Sequence, residues 1–175
     1  MILVIDTSGN PAAIATLDGP SRSELFVPAR DPALRPNLRR IARENRITQV
    51  AVATGPGSFT GLRVGVSFGL GLAMGLQVPI VPLNSLELLA ARSDDTVIAV
   101  RDAGRGRFYF LAPGSKPALG ESADIPKGHR IVDSFEPEDG LRGFAESAAI
   151  LLEEAQEVPY RNLEIQYMQS FSVTH

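Results

Sequence analysis

Asp6, Thr7 and Ser8 close the apolar run Ile2 to Ile5. A carboxylate followed by two hydroxyls at the end of a strand offers ligands for a phosphate or a divalent cation. The same three residues also make a capped turn after a strand. A second candidate is the segment Gly55-Pro-Gly-Ser-Phe-Thr-Gly-Leu-Arg-Val-Gly65. A strand, a glycine loop and a helix start would turn backbone N–H groups toward an anion, with Gly55, Gly57, Ser58 and Thr60 as contacts. The spacing lacks the lysine of a P-loop, and Thr60 stands where G-x-G-x-x-G needs its last glycine. It is not a G-x-S-x-G nucleophile elbow either. The same glycines suit close helix packing, so the loop is either an anion cradle or a packing device.

Other chemistry is sparse. The chain has no cysteine, which removes thiol catalysis, disulfides and cysteine-held zinc. His129 and His175 are the only histidines, too few for a histidine-based metal site or triad. With 44% hydrophobic and 21% charged residues the 175-residue chain reads as globular, as one domain or two small lobes. A formal charge of −3 gives no overall footprint for wrapping nucleic acid.

The elements that must hold these residues follow from patterning. Ile2 to Ile5 predicts a strand buried on both faces, Ala12 to Leu17 a second and Glu24 to Val27 a short third. Asp31-Pro32 starts a helix running to about Asn45, with Leu34, Leu38 and Ile41 as its apolar stripe. Arg35, Arg39, Arg43 and Arg46 fall beside that stripe, as a solvated face or as a cationic rim around a contact patch. Val50 to Ala53 predicts a strand into the glycine loop. Ser58 or Thr60 caps a helix reaching about Leu76, Ile80 to Val81 a short strand, and Asn84 or Ser85 a helix through about Arg92.

Within the 61–76 helix the large apolar residues form two rows. Leu62, Val66, Leu70 and Met74 make one, and Val64, Phe68, Leu72 and Leu76 the other, with Gly61, Gly65, Gly69 and Ala73 as a smooth seam between them. A helix apolar on two sides is buried on two sides. One row has the sheet, and the other needs the 31–45 helix or another protein. Residues 64–86 carry no charge, yet Pro79 and Pro82 interrupt the stretch, so a buried helix followed by a strand is expected rather than a membrane span. The N-terminus lacks the basic leader of a signal peptide, and a cytoplasmic protein is expected.

At Val97 the pattern restarts. An apolar strand ends in Asp102, Gly104 to Gly106 turn the chain, and Arg107 to Leu111 return. This echo of residues 2–17 points to internal duplication. Residues 112–137 show weak periodicity, a helix spans about Leu141 to Glu154, and Leu163 to Tyr167 is expected as a short strand.

Ile5-Asp6-Thr7-Ser8, the 55–65 segment and Arg101-Asp-Ala-Gly-Arg-Gly106 together resemble the TsaB family, also called YeaZ, and Tyr167-Met168 does so weakly. The resemblance covers residues 1–111 or so. It implies an α/β fold of two RNase-H-like lobes of the actin-like ATPase superfamily: a βββαβα first lobe over 1–93 and a reduced second lobe over 94–175. It also implies a non-catalytic subunit of the machinery that makes threonylcarbamoyladenosine beside the tRNA anticodon. TsaD-like and TsaE-like proteins are the implied partners, the former performing the transfer and holding the metal, the latter an ATPase. Contact with TsaD, or with a second copy in a homodimer, is implied for the first two helices. Carried over, the contact residues are Leu34, Leu38, Ile41, Leu62, Arg63, Val66, Leu70 and Met74. No intrinsic cofactor is implied; ATP and magnesium come with the partner subunits, and tRNA is met only through the complex.

TsaD-like enzymes place paired histidines on the first helix, and this chain has none before His129. Ala29-Arg30-Asp31-Pro32 replaces the family's usual His-Ser pair. The rival reading is a small ATP-dependent phosphotransferase of the same superfamily, using Asp6 and the glycine loops. A metallopeptidase is a third.

Overall fold

The computed structural model describes residues 1–29 and 31–167. Met168 and His175 lie outside the described residues. Strands β1 (Ile2–Asp6), β2 (Ala12–Asp18) and β3 (Ser21–Val27) form an antiparallel meander. Helix α1 (Leu34–Glu44) carries the chain back to β4 (Gln49–Gly55), which pairs parallel to β1. Helix α2 (Phe59–Leu76) then leads to β5 (Ile80–Asn84), parallel to β4, so the first sheet is ordered β3-β2-β1-β4-β5.

Alternate side chains of the central strands feed two cores, as the pleat requires. Leu3, Ile5, Val50 and Val52 point to α1 and α2, where Leu34, Leu38, Ile41 and Val66 meet them. Val4, Ala51 and Ala53 point to the opposite face, covered by α3 (Ser85–Ala90) and α4 (Phe144–Leu152).

The restart at Val97 is a second sheet of the same plan. Strands β6 (Val97–Gly104), β7 (Arg107–Leu111) and β8 (Ala118–Glu121) make an antiparallel meander, and β9 (Arg130–Val132) pairs parallel to β6. Its order is β8-β7-β6-β9. Where the first half has α1 as crossover, the second has a single 3₁₀ turn, Ser122–Asp124. The expected pair of RNase-H-like lobes with the second reduced is therefore the observed architecture. Val97, Ala99, Phe135 and Phe144 share one apolar cluster with Val4 and Ala51, and α3 packs on β6.

Several boundaries differ from expectation. α1 begins at Leu34, because Asp31 uses its carboxylate on the Ala33 N–H (2.7 Å) in a turn before the helix. The 112–137 region contains β8 and β9, strands of four and three residues. Such lengths are too short to show an alternation. Leu163 to Tyr167 is not a strand. A 3₁₀ turn, Tyr160–Asn162, precedes it, and only the Gln166 N–H reaches the Thr54 carbonyl, at 2.8 Å.

Arg92 ties the halves together from inside. It is 1% exposed and donates to the carbonyls of Arg142 (2.8 Å), Glu136 (2.9 Å) and Ser134. Arg92→Met should take the donor from three part-buried carbonyls and lower unfolding stability by about 3 kcal/mol in a urea titration. A loss under about 1 kcal/mol would mean water already serves those carbonyls.

Candidate functional site

The Asp6 turn is filled by the chain itself. Asp6 (1% exposed) pairs through Oδ2 with Arg101 Nη2 at 3.1 Å, while Oδ1 accepts the Ser8 N–H at 2.6 Å. Arg101 comes from β6, is 3% exposed, and also donates through Nη1 to the Asp133 carbonyl (2.8 Å). Its guanidinium lies 4.9 Å from the centre of the Phe135 ring. A Cβ at Gly9 would run into that guanidinium, so the turn needs glycine there. Thr7 donates its hydroxyl to the Gly61 carbonyl at 2.7 Å. Among the described residues, Ser8 Oγ and Arg101 Nε are buried without a hydrogen-bond partner.

The glycine loop packs directly on this turn. A Cβ at Gly57 would come within 2.6 Å of the Ser8 carbonyl oxygen, and the Ser58 N–H donates to that oxygen at 2.7 Å. Ser58 Oγ caps α2 by accepting the Gly61 N–H at 3.2 Å. Gly55 has φ +121°, open to glycine alone, and lies under the Gln166 carbonyl. Of the candidate phosphate contacts, Asp6, Thr7, Ser8, Gly55, Gly57 and Ser58 are thus brought together against one another, with Ser58 and Thr60 exposed. In this arrangement the Asp6 carboxylate is paired with Arg101, and the loop touches the turn. Among the described residues no group of three His, Cys, Asp or Glu could hold a metal ion.

Behind the loop, α2 lies along the sheet on its small residues. Added Cβ atoms would overlap the Thr7 carbonyl oxygen at Gly61, Thr7 Oγ1 at Gly65 and a Val52 methyl at Gly69. The seam lets the helix descend until Leu62 and Val66 are buried. By length and apolarity α2 could cross a membrane (18 residues, mean hydropathy 1.4); here it is packed along β4.

The expected contact residues divide accordingly. Leu34, Leu38, Ile41, Leu62 and Val66 are at most 8% exposed and lie in the chain's own core. The reason is that α1 and α2 cover one sheet face together and turn their most regular apolar rows onto it. Leu70 is half-buried, Arg63 is exposed, and Met74 is 54% exposed. The second row lies differently. Val64, Phe68 and Leu72 are half-buried along a groove between α1 and α2, whose two adjoining hollows are of about 520 and 500 Å³. Arg35, Arg39 and Arg43 rise from the α1 side. Arg46 lies past the end of α1 and off the groove. At one end Arg63 stacks 3.8 Å over the Phe59 ring and donates to Tyr167 Oη at 3.2 Å.

Two glycines on this helix, Gly71 and Gly75, face open space, and a Cβ added at either would meet nothing within 4 Å. Each lowers helix propensity by about 1 kcal/mol, with no contact among the described residues to require it.

Residues 35–173 match the family profile of TsaD, tRNA N6-adenosine threonylcarbamoyltransferase. The chain belongs to the TsaD family, in its TsaB (YeaZ) branch. It is 42% identical over 66 residues to the TsaB protein of Bacillus subtilis, named for tRNA threonylcarbamoyladenosine biosynthesis, covering 36% of this chain and 29% of that protein. With the TsaB protein of Haemophilus influenzae it shares 30% identity over 122 residues, 62% of this chain and 52% of the relative. The chain therefore spans about half or less of these TsaB relatives. Two Pseudomonas aeruginosa structures share the fold. One, described as similar to peptidase YEAZ, superposes with TM-score 0.75 at 21% identity over 96% of this chain and 99% of its own. The other, YeaZ, gives 0.60 at 24% over 74% and 73%.

Proposed function

We propose that the chain serves tRNA threonylcarbamoyladenosine biosynthesis in the cytoplasm as a non-catalytic subunit, docking its α1–α2 face on the threonylcarbamoyltransferase. The observation that carries this reading is the closure of the Asp6 turn by Arg101, beside a helical groove left open. A site whose acid is matched by an internal guanidinium keeps that carboxylate from a phosphate-bound metal. A half-buried apolar row flanked by glycines without intrachain neighbours suits a second helix at close range. Participation in the pathway rests on family membership and on the names of the TsaB relatives.

The test is co-purification with a TsaD-type transferase, followed by nucleoside analysis of tRNA with and without this chain. Modified adenosine should depend on its presence. Gly71→Leu adds a side chain into open space, so it should fold normally yet weaken transferase binding by at least about tenfold, as truncating or blocking a central contact does. Undiminished binding by that variant would remove the groove from the interface. Isothermal titration with ATP and magnesium checks the phosphotransferase reading, which requires tight binding by the chain alone.

A further inference from the structure

Among the described residues the two sheets have four edge strands, and three of them are guarded. β5 carries Pro82 and is bridged at Ile80 by Val158. β8 and β9 are four and three residues long. Proline, a covering segment and short length all keep an edge from pairing with another chain. β3 has none of these. Its seven residues, Ser21-Arg-Ser-Glu-Leu-Phe-Val27, include no proline, glycine or lysine and run in unbroken register with β2. Ser21 to Glu24 are exposed.

The β2–β3 turn fixes which backbone groups point outward. Gly19 (φ +58°) and Pro20 make a two-residue turn that closes on the Asp18–Ser21 pair. The closing pair of such a hairpin is hydrogen-bonded, and bonded pairs then alternate with unbonded ones. Arg22, Glu24 and Phe26 fall in the unbonded pairs, opposite Leu17, Ala15 and Ala13. Their N–H and C=O groups therefore face away from β2, and no other described backbone segment bonds to them. Arg22 makes no hydrogen bond or ion pair among the described residues. Glu24 accepts the Ala145 N–H on Oε1 at 2.7 Å, which leaves Oε2 for a second donor.

We propose that β3 pairs with β3 of a second copy of this chain, antiparallel and centred on Ser23, so that two five-stranded sheets become one. The segment is its own complement. Outward groups must meet outward groups, so the pairing slides only in two-residue steps. Centred on Ser23, Arg22 lies opposite Glu24 of the second copy, and Glu24 opposite its Arg22. Centring on Arg22 or on Glu24 sets like charges face to face, which opposes pairing. Centring on Leu25 sets Glu24 against Phe26 and carries Arg22 past the end of the strand. A twofold contact is closed, because it uses both β3 edges and leaves only guarded edges outside. One strand pair buries little area, so the dimer is weak and depends on concentration. No β3 residue lines the α1–α2 groove, so the contact neither uses that face nor rests on the proposed function.

The test is sedimentation equilibrium of the full chain and of its variants Ser23→Lys and Ser23→Glu. Position 23 is exposed, and its hydroxyl shares a bond only with Thr16 Oγ1 at 2.6 Å; circular dichroism checks that the fold is kept. On the twofold axis residue 23 meets its own copy. Each variant alone should therefore self-associate at least about tenfold more weakly than wild type, and an equimolar mixture of the two should regain the association. Arg22→Pro removes an outward N–H and no β2–β3 bond, so it should keep the fold and lose the dimer. Wild type still monomeric at about 1 mM would overturn the proposal. A dimer that both charged variants retain, or a mixture no tighter than either variant alone, would overturn it as well. Transferase binding by Ser23→Lys should match wild type; its loss would make β3 a transferase contact and sink the pairing with a second copy.

Discussion

Arg101→Met is expected to lower unfolding stability by about 3–5 kcal/mol, because it leaves the Asp6 carboxylate buried and unpaired. Asp6 and Arg101 are 1% and 3% exposed, so water cannot take over the vacated side. The loss is not a measure of what the pair contributes. Bringing both ions out of water is itself costly, and replacing both by apolar groups of similar volume is often neutral or stabilising. The double variant Asp6→Leu/Arg101→Met should therefore recover most of the loss, although the Ser8 N–H (2.6 Å from Asp6 Oδ1) then lacks its acceptor. Urea unfolding of the four proteins, followed by far-ultraviolet dichroism, makes the double-mutant cycle. A single variant within about 1 kcal/mol of wild type would show the pair to be solvated. The pair joins β1 to β6 across 95 residues of sequence, so its removal should also loosen one half against the other. Faster amide exchange in β6 would report that.

Gly65→Leu and Gly71→Leu should have opposite outcomes on the same helix. At Gly65 a Cβ meets Thr7 Oγ1, and Thr7 is fixed by its bond to the Gly61 carbonyl at 2.7 Å. A leucine there must lift α2 from the sheet, uncovering Leu62 and Val66, and should cost about 3 kcal/mol or more. At Gly71 a Cβ meets nothing within 4 Å, and leucine there gains helix propensity of up to about 1 kcal/mol. Thermal unfolding separates the two plainly. Equal destabilisation by both would mean that the two faces of α2 are not distinct.

The sequence displayed the elements well where their periods were long. The α2 helix was legible from its cap, its length and its four-spaced rows, and the glycine seam at Gly61, Gly65 and Gly69 announced close packing. Which row faced inward was not legible, since both rows are apolar and the choice depends on where the sheet and α1 lie. The stripe Leu34–Leu38–Ile41 read equally well as a contact patch and as core, because both need the same spacing. β8 and β9 escaped because three or four residues cannot establish an alternation. Nothing near Asp6 marked Arg101 as its partner. The only local sign was an arginine directly after an apolar strand run, Val97 to Val100.

By itself the sequence determined the chemistry the chain lacks, the duplicated strand plan, and the glycines that let α2 approach the sheet. These follow from residue types and short-range spacing, which act through local sterics and patterning. Tertiary structure alone decided that the Asp6 turn is closed by a cation from the other half, and that the open surface is the Phe68–Leu72 groove edged by Arg35, Arg39 and Arg43. Both depend on contacts between residues far apart in the chain, whose free energies are set by burial and mutual position.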